Sequence, residues 1–160
     1  METPEDVQRQ IELRYADSNR NLAAGLAGTN VAIMTFFLFF GFDLTTAAQV
    51  DPTLFQATLG LIILTLFLFL YAAMGYYVYT EALLKGHPGA VGYLRRADGF
   101  LFASLLAITL EPALIMFTAK LPFVGALALI LWLVSLVIIY QDREHQGHTS
   151  RIAQPARVQS

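Results

Sequence analysis

Residues 99–119 read GFLFASLLAITLEPALIMFTA, an apolar run that contains a single charged residue, Glu111. A helix of this length crosses ~30 Å of hydrocarbon, because an α-helix rises ~1.5 Å per residue. Three further stretches of comparable length carry no charged residue at all. The chain is therefore predicted to be an all-α integral membrane protein with four transmembrane helices. Spans 1 to 4 are placed at residues 21–42, 52–80, 97–119 and 121–141.

The composition agrees with a chain that is surrounded mostly by lipid. Hydrophobic residues make up 56% and charged residues 14% of its 160 residues, whereas soluble domains are about 25% charged. No segment outside the spans exceeds about 20 residues, which excludes a soluble catalytic domain. The chain has no cysteine, so thiolate metal sites and cysteine nucleophiles are excluded. We expect no enzyme activity, no cofactor, no metal site and no nucleic-acid binding.

Basic residues predict the orientation of the chain. Nine of the ten Lys and Arg residues lie before span 1, between spans 2 and 3, or after span 4. Lys120 alone lies on the opposite side, and an excess of Lys and Arg marks the cytoplasmic segments of a membrane protein. The pattern predicts an N-in/C-in protein of the cell membrane, with both termini in the cytoplasm. Spans 1–2 and spans 3–4 are expected to form two antiparallel hairpins.

Residues 1–20 are predicted to form a cytoplasmic N-terminal helix or extension. Thr3 can cap such a helix, and Val7, Ile11 and Tyr15 recur at helical spacing as a narrow apolar stripe. The helix either lies on the membrane surface or extends span 1 into the cytoplasm. We favour the extension, because the stripe is thin and acidic residues outnumber basic ones in this segment.

Residues 142–160 are predicted to be a disordered cytoplasmic tail. They read DREHQGHTSRIAQPARVQS, which is polar, contains Gly and Pro, and shows no apolar period. Glu144, His145 and His148 have a spacing that could bind a metal on a helix. A solvated tail explains them more simply, so we expect no metal site there.

Each predicted span contributes one polar side chain to a similar depth in the membrane. The four residues of this layer are Asn30, Thr65, Glu111 and Ser135. Glu111 is their only ionisable member and lies ~3 Å from the centre of the apolar run 99–119. An ionised acid at this depth costs ~2.5–3.5 kcal/mol on insertion scales. We therefore expect Glu111 to face protein or water rather than lipid, and to be predominantly protonated.

Pro112 follows Glu111 directly and is expected to kink span 3, because it cannot donate a hydrogen bond to the carbonyl of Ile108. A broken helix beside an intramembrane acid is typical of ion and substrate sites in transporters. In one interpretation Glu111 exchanges a proton or binds a cation during transport. In the other, a neutral Glu111 holds the helices together by a hydrogen bond to Asn30 or to a backbone carbonyl.

Small residues on span 1 indicate a helix-packing face. Ala24, Gly25 and Gly28 lie close together on the helix, where they would let another helix approach. Four helices enclose little interior, so we expect the lipid bilayer and either a homo-oligomer or other membrane subunits as partners. The leading interpretation is an oligomeric ion- or proton-coupled channel or transporter centred on Glu111. The alternative is a non-catalytic accessory or assembly subunit of a larger membrane complex.

Aromatic and charged residues mark the cytoplasmic ends of spans 2 and 3. An aromatic cluster near the end of span 2 predicts a belt at the membrane interface, as Tyr and Trp are enriched there. The cluster comprises Tyr76, Tyr77 and Tyr79. At the start of span 3, Asp98 is expected to pair with Arg95 or Arg96 at the membrane surface.

Overall fold

Four α-helices account for almost all of the chain that the structure describes. The structure is a computed structural model and describes residues 3–46, 51–134 and 136–137. Its helices are α1 (Pro4–Thr46), α2 (Pro52–Leu84), α3 (Ala90–Thr118) and α4 (Pro122–Val134). The described residues contain no strand, so the all-α prediction is confirmed for this part of the chain.

Short-range chemistry sets the ends of α1 and α2. Thr3 Oγ1 accepts from the Asp6 backbone N–H at 3.2 Å, while the Asp6 carboxylate accepts from the Thr3 N–H at 3.1 Å. This reciprocal pair is a capping box. The Asp51 carboxylate accepts from two N–H groups in the first turn of α2, and Pro52 occupies the first helical position. After α2, Gly86 has a φ of +68°, in the left-handed region that favours glycine.

Three of the described helices are long and apolar enough to span a membrane. α1, α2 and α3 contain 43, 33 and 29 residues. These counts correspond to lengths of about 64, 50 and 44 Å, each greater than the ~30 Å of a hydrocarbon core. α1 runs without a break past residue 20, so the N-terminal segment prolongs the first span. This continuity favours the extension over a helix lying on the membrane surface.

The fourth predicted span is not established by the structure. α4 is apolar, but it is shorter than the ~20 residues that a spanning helix needs. Residues 47–50, 135 and 138–160 lie outside the described part of the chain. Four spans and the arrangement in two hairpins therefore stay predictions, as does the disordered tail at 142–160.

Buried positions recur every seven residues on the three long helices. On α1 they are Ala16, Ala23, Asn30 and Phe37; on α2 they are Thr58, Thr65, Ala72 and Tyr79; on α3 they are Ala90, Ala97, Ser104, Glu111 and Thr118. A seven-residue repeat is the pattern of left-handed coiled-coil packing. Most of these residues are small or polar, while large apolar side chains cover the outer surface. That distribution suits a bundle that faces lipid.

α2 lies between its neighbours and packs against both, whereas α1 and α3 touch each other at few places. α2 and α3 approach each other closely at Gly75, where an added Cβ atom would lie 2.9 Å from the Cβ atom of Ala97. α4 rests on α3 near Gly125, where an added Cβ atom would lie 3.0 Å from the Phe117 ring. The Trp132 indole N–H also donates to the Leu106 carbonyl of α3 at 3.1 Å.

Candidate functional site

Glu111 lies on the face of α3 that points into the bundle. It belongs to the seven-residue repeat of buried positions, and its side chain is fully buried. Pro112, the next residue, is on the exposed side of α3, and the helix continues through it to Thr118. Pro112 lies within one continuous helix, and its ring leaves the Ile108 carbonyl without the usual backbone donor. The kink expected at this position stays a prediction.

Asn30 of α1 reaches the Glu111 carboxyl directly. Its Nδ2 group donates to Glu111 Oε1 at 2.9 Å, and both side chains are fully buried. We call these two residues the Asn30–Glu111 pair. Because α1 and α3 otherwise touch sparsely, this hydrogen bond is a principal side-chain connection between the two helices. Counting residues along each span had placed the two side chains at similar depth.

Each side chain of the Asn30–Glu111 pair keeps one oxygen without a hydrogen-bond partner. Asn30 Oδ1 and Glu111 Oε2 are both buried, and no described residue donates to either. A buried polar atom left without a partner costs about 1–3 kcal/mol. This site has two such atoms, whereas nearly all buried polar groups in proteins have a hydrogen-bond partner. The two oxygens therefore need an explanation.

Thr65 of α2 completes the surroundings of the carboxyl. Its side chain is fully buried beside Glu111, and its hydroxyl donates to the Leu61 carbonyl at 2.8 Å. A hydroxyl has one proton to donate. The Thr65 hydroxyl also lies within reach of the Glu111 carboxyl, but while its proton is directed at Leu61 it does not satisfy the free oxygen of Glu111.

Of the remaining predicted site residues, those that the structure describes are not part of this arrangement. Ser135 lies outside the described residues. Ala24, Gly25 and Gly28 are on an exposed side of α1, and a Cβ atom added at either glycine would meet nothing within 4 Å. The small residues that α1 buries inside the bundle are Ala16, Ala23 and Ala27. A role of the Ala24–Gly28 face in association stays a prediction.

A second polar cluster lies nearer the N-terminal end of α1, and sequence reasoning missed it. Both the Tyr76 and the Tyr15 hydroxyls donate to Asp98 Oδ1, at 2.6 and 3.2 Å. We call these three residues the Asp98 cluster; it joins α1, α2 and α3 at one carboxylate. Next to it, the Tyr79 hydroxyl donates to Glu12 Oε2 at 3.1 Å.

This cluster corrects two expectations about the ends of spans 2 and 3. Tyr76 and Tyr79 were expected in an aromatic belt facing the membrane interface, yet both are buried inside the bundle; Tyr77 is exposed. Asp98 was expected to pair with Arg95 or Arg96, but it accepts hydrogen bonds from two phenols instead. The seven-residue spacing from Thr58 through Thr65 and Ala72 to Tyr79 was a signal in the sequence for this burial.

The turn between α2 and α3 is held by charged side chains. The Arg9 guanidinium of α1 donates to the carbonyls of Leu83 and Leu84 at 2.8 and 2.9 Å, at the C-terminus of α2. Lys85 pairs with Glu81 at 2.9 Å, one turn away. The Glu81 carboxylate raises the pKa of Lys85 above its ordinary value, so the lysine stays charged. A positive side chain suits the negative end of the helix dipole.

The two polar sites offer different chemistry. The described residues contain no group of three or more His, Cys, Asp or Glu side chains that could hold a metal ion. The Asn30–Glu111 pair offers a carboxyl oxygen and an amide oxygen that lack partners, which suits binding of a proton or a small cation. The Asp98 carboxylate already has two donors, which suits a structural connection.

Comparison with protein-family models, with curated proteins and with solved structures finds no significant match for this chain. The geometry of the site therefore has to carry any functional conclusion.

Proposed function

We propose that the chain is an oligomeric, ion- or proton-coupled channel or transporter of the cell membrane, centred on Glu111. The single observation that carries this proposal is the Asn30–Glu111 pair. A carboxyl group is buried within apolar helices, where acidic residues are rare, costly and typically functional. The pair makes one hydrogen bond and leaves two buried oxygens available to a ligand.

The proposed topology has four spans with both termini in the cytoplasm. The distribution of Lys and Arg supports this orientation, and the apolar α4 supports a fourth span that continues beyond Val134. Tags at residue 1, in the 86–92 loop and at residue 160 should be shielded from an external reagent, while a tag near Gln49 should be labelled. Labelling of the 86–92 loop from outside the cell contradicts the proposed orientation.

An oligomer is proposed because a bundle of so few helices encloses little interior for a pathway. Small residues bring α2 and α3 together at Gly75 and Ala97. Large apolar side chains such as Phe39, Phe67 and Phe123 lie on the outer surface, where lipid or another copy can cover them. A pathway that includes Glu111 would then form between protomers, or when the bundle opens.

The experiment that tests transport is ion flux into liposomes that contain the purified protein. We expect wild-type flux to depend on pH between about 5 and 8, and Glu111→Gln to abolish that dependence while the protein still folds. The matched control is Glu81→Gln, which removes an exposed carboxylate and should leave the flux unchanged. If Glu111→Gln folds and its flux equals that of the wild type, the transport proposal fails.

A second candidate function is an accessory or assembly subunit that packs against other proteins through span 1. The exposure of Gly25 and Gly28 favours it, because a helix can approach such a face closely. Gly28→Leu should disrupt association without a clash inside the protomer, measured as oligomer size in nanodiscs. The matched control is Gly60→Leu on α2, whose surroundings are equally open. If Gly28→Leu leaves oligomer size and thermal stability unchanged, association through this face of span 1 is ruled out.

A further inference from the structure

The two oxygens of the Asn30–Glu111 pair that lack partners could be joined by one hydrogen bond, because one belongs to an amide and the other to a carboxyl group. An amide and a carboxylic acid can join through two hydrogen bonds that close a ring. One runs from the amide N–H to the acid carbonyl, and the other runs from the acid O–H to the amide carbonyl. The structure contains the first bond, from Asn30 Nδ2 to Glu111 Oε1. The two atoms left without partners are the two that the second bond would join.

We propose that the pair is a binding site for one proton, which sits on Glu111 Oε2 and is donated to Asn30 Oδ1. This inference rests on the proposed function, since it names the proton as the ion that the site takes. One O–H bond forms on Oε2, and the proton comes from water that reaches the site. The single proton satisfies both buried oxygens and doubles the hydrogen bonds between Asn30 and Glu111. We call the doubly bonded state the proton clasp.

The donor set favours a proton over a metal cation. Hard cations such as Ca²⁺ and Mg²⁺ take about six or more oxygen ligands. Among the described residues, the site offers Glu111 Oε2, Asn30 Oδ1 and the Thr65 hydroxyl, whose proton is directed at Leu61. A proton needs only one base and one acceptor, and the pair supplies both.

Among the described residues, no charged side chain forms an ion pair with Glu111 that would compensate it when the proton leaves. From α1 it faces the neutral Asn30, and from α2 it faces the neutral Thr65. The apolar stretches of α1, α2 and α4 contain no acidic or basic residue. The nearest charged residue on α3 is Asp98, about 20 Å away along the axis, and Lys120, just beyond the end of α3, is about 14 Å away.

Loss of the proton therefore opens the clasp. An ionised Oε2 and the Asn30 carbonyl oxygen are both electron-rich acceptors and cannot bond to each other. Because α1 and α3 contact each other at few places, we expect their separation at the depth of Asn30 and Glu111 to respond to the state of this pair. Lower pH closes the clasp and higher pH loosens it.

Two measurements on the full-length protein in phospholipid bilayers test the clasp. Infrared difference spectra between wild type and Glu111→Gln isolate the carboxyl of residue 111, because a protonated acid and a carboxylate absorb at different frequencies. We expect a protonated-acid band at pH 6 that shifts in Asn30→Ala and is lost as the pH rises to about 9. Absence of that band at every pH between 5 and 9 overturns the proposal.

The second measurement is the distance between α1 and α3. The chain has no cysteine, so Val31→Cys and Leu105→Cys, two exposed positions, accept one spin label each without further changes. We expect the distance distribution to widen as the pH rises. In Glu111→Gln it should stay narrow, because the Gln amide makes both bonds permanently; Glu81→Gln should behave as wild type. A wild-type distance that does not change with pH overturns the proposal.

These outcomes separate the clasp from the proposed transport. A protonated-acid band and pH-dependent separation without flux of any ion support the clasp and overturn transport. Flux of Na⁺ or K⁺ through a protein whose Glu111 stays ionised supports transport and overturns the clasp.

Discussion

The Asp98 cluster and the Asn30–Glu111 pair both place a carboxyl of α3 against a polar side chain of α1, but they differ in how completely the carboxyl is satisfied. Asp98 Oδ1 receives two phenol hydrogen bonds. Glu111 receives one amide hydrogen bond, and two buried oxygens remain without partners. The first arrangement is complete with the residues present, whereas the second lacks one component.

The chemistry of the donors explains this difference. Phenol hydroxyls are themselves donors, so an ionised Asp98 is satisfied without a further proton. The Asn30 amide offers both donors and an acceptor, so its match to a carboxyl is complete only when the acid is protonated. The Asp98 cluster is thus suited to hold the bundle together, and the Asn30–Glu111 pair is suited to change state.

The largest expected effect comes from breaking the Asp98 cluster. Asp98→Ala removes the acceptor of both phenols and leaves the O–H donor of the buried Tyr76 without its acceptor. We expect the free energy of unfolding to fall by about 2–4 kcal/mol, since bonds to a charged group are strong and an orphaned donor is costly. Equilibrium unfolding in mixed micelles measures this loss. Asp98→Asn keeps an acceptor and should lose less; equal stability of wild type and Asp98→Ala would show that the cluster does not hold the bundle.

An intermediate effect separates the two phenols that share this acceptor. Tyr76 is fully buried, whereas Tyr15 is 48% exposed and can exchange its bond for one with water. Tyr76→Phe should lower the free energy of unfolding by about 1–1.5 kcal/mol, and Tyr15→Phe by less than about 0.5 kcal/mol. The same unfolding assay compares them, and each variant serves as the control of the other. If Tyr15→Phe lowered the free energy of unfolding more than Tyr76→Phe, Tyr15 and not Tyr76 would be the stronger partner of Asp98.

The smallest expected effect on stability is that of Glu111→Gln. The Gln amide can donate to Asn30 Oδ1 and accept from Asn30 Nδ2, so the free energy of unfolding should change by less than about 1 kcal/mol at pH 6. Because the clasp needs its proton, wild-type stability should fall as the pH rises, while that of the variant stays flat. Unfolding measured from pH 5 to 9 provides the comparison. Glu111→Leu, which leaves Asn30 without a partner, should lose about 1–3 kcal/mol; a pH-independent wild type contradicts the expectation.

Features that depend on neighbouring residues could be predicted from the sequence. The start of α2 at Asp51 and Pro52 follows from a side chain and a ring that act on the next turn. The similar depth of Asn30 and Glu111 follows from counting residues along apolar helices, and their side chains meet at 2.9 Å. The sequence changes from polar to apolar near residue 21. This change marks where the surroundings of the helix change and not where the helix ends, because α1 continues through it without a break.

Features that depend on the direction of each side chain were harder to predict. Composition alone suggested that Tyr76 and Tyr79 face the membrane interface, because aromatic residues are common there. Their helical phase places them in the bundle instead, in step with other buried positions of α2. The partner of Asp98 could not be identified from nearby residues, because Tyr15 and Tyr76 come from two other helices.

The unbroken course of α1 makes the helix a lever. Ala16, next to Tyr15 and fully buried in the core, is the natural pivot. Asn30 lies about 21 Å from Ala16 in one direction, and Arg9 lies about 10 Å from it in the other. A rigid rod with these arms would convert a 2.5 Å movement at Asn30 into a movement of about 1 Å at Arg9, in the opposite direction. That movement strains the bonds from Arg9 to the end of α2, which measure 2.8 and 2.9 Å. Motion at the buried pair is thereby mechanically linked to the polar end of the bundle.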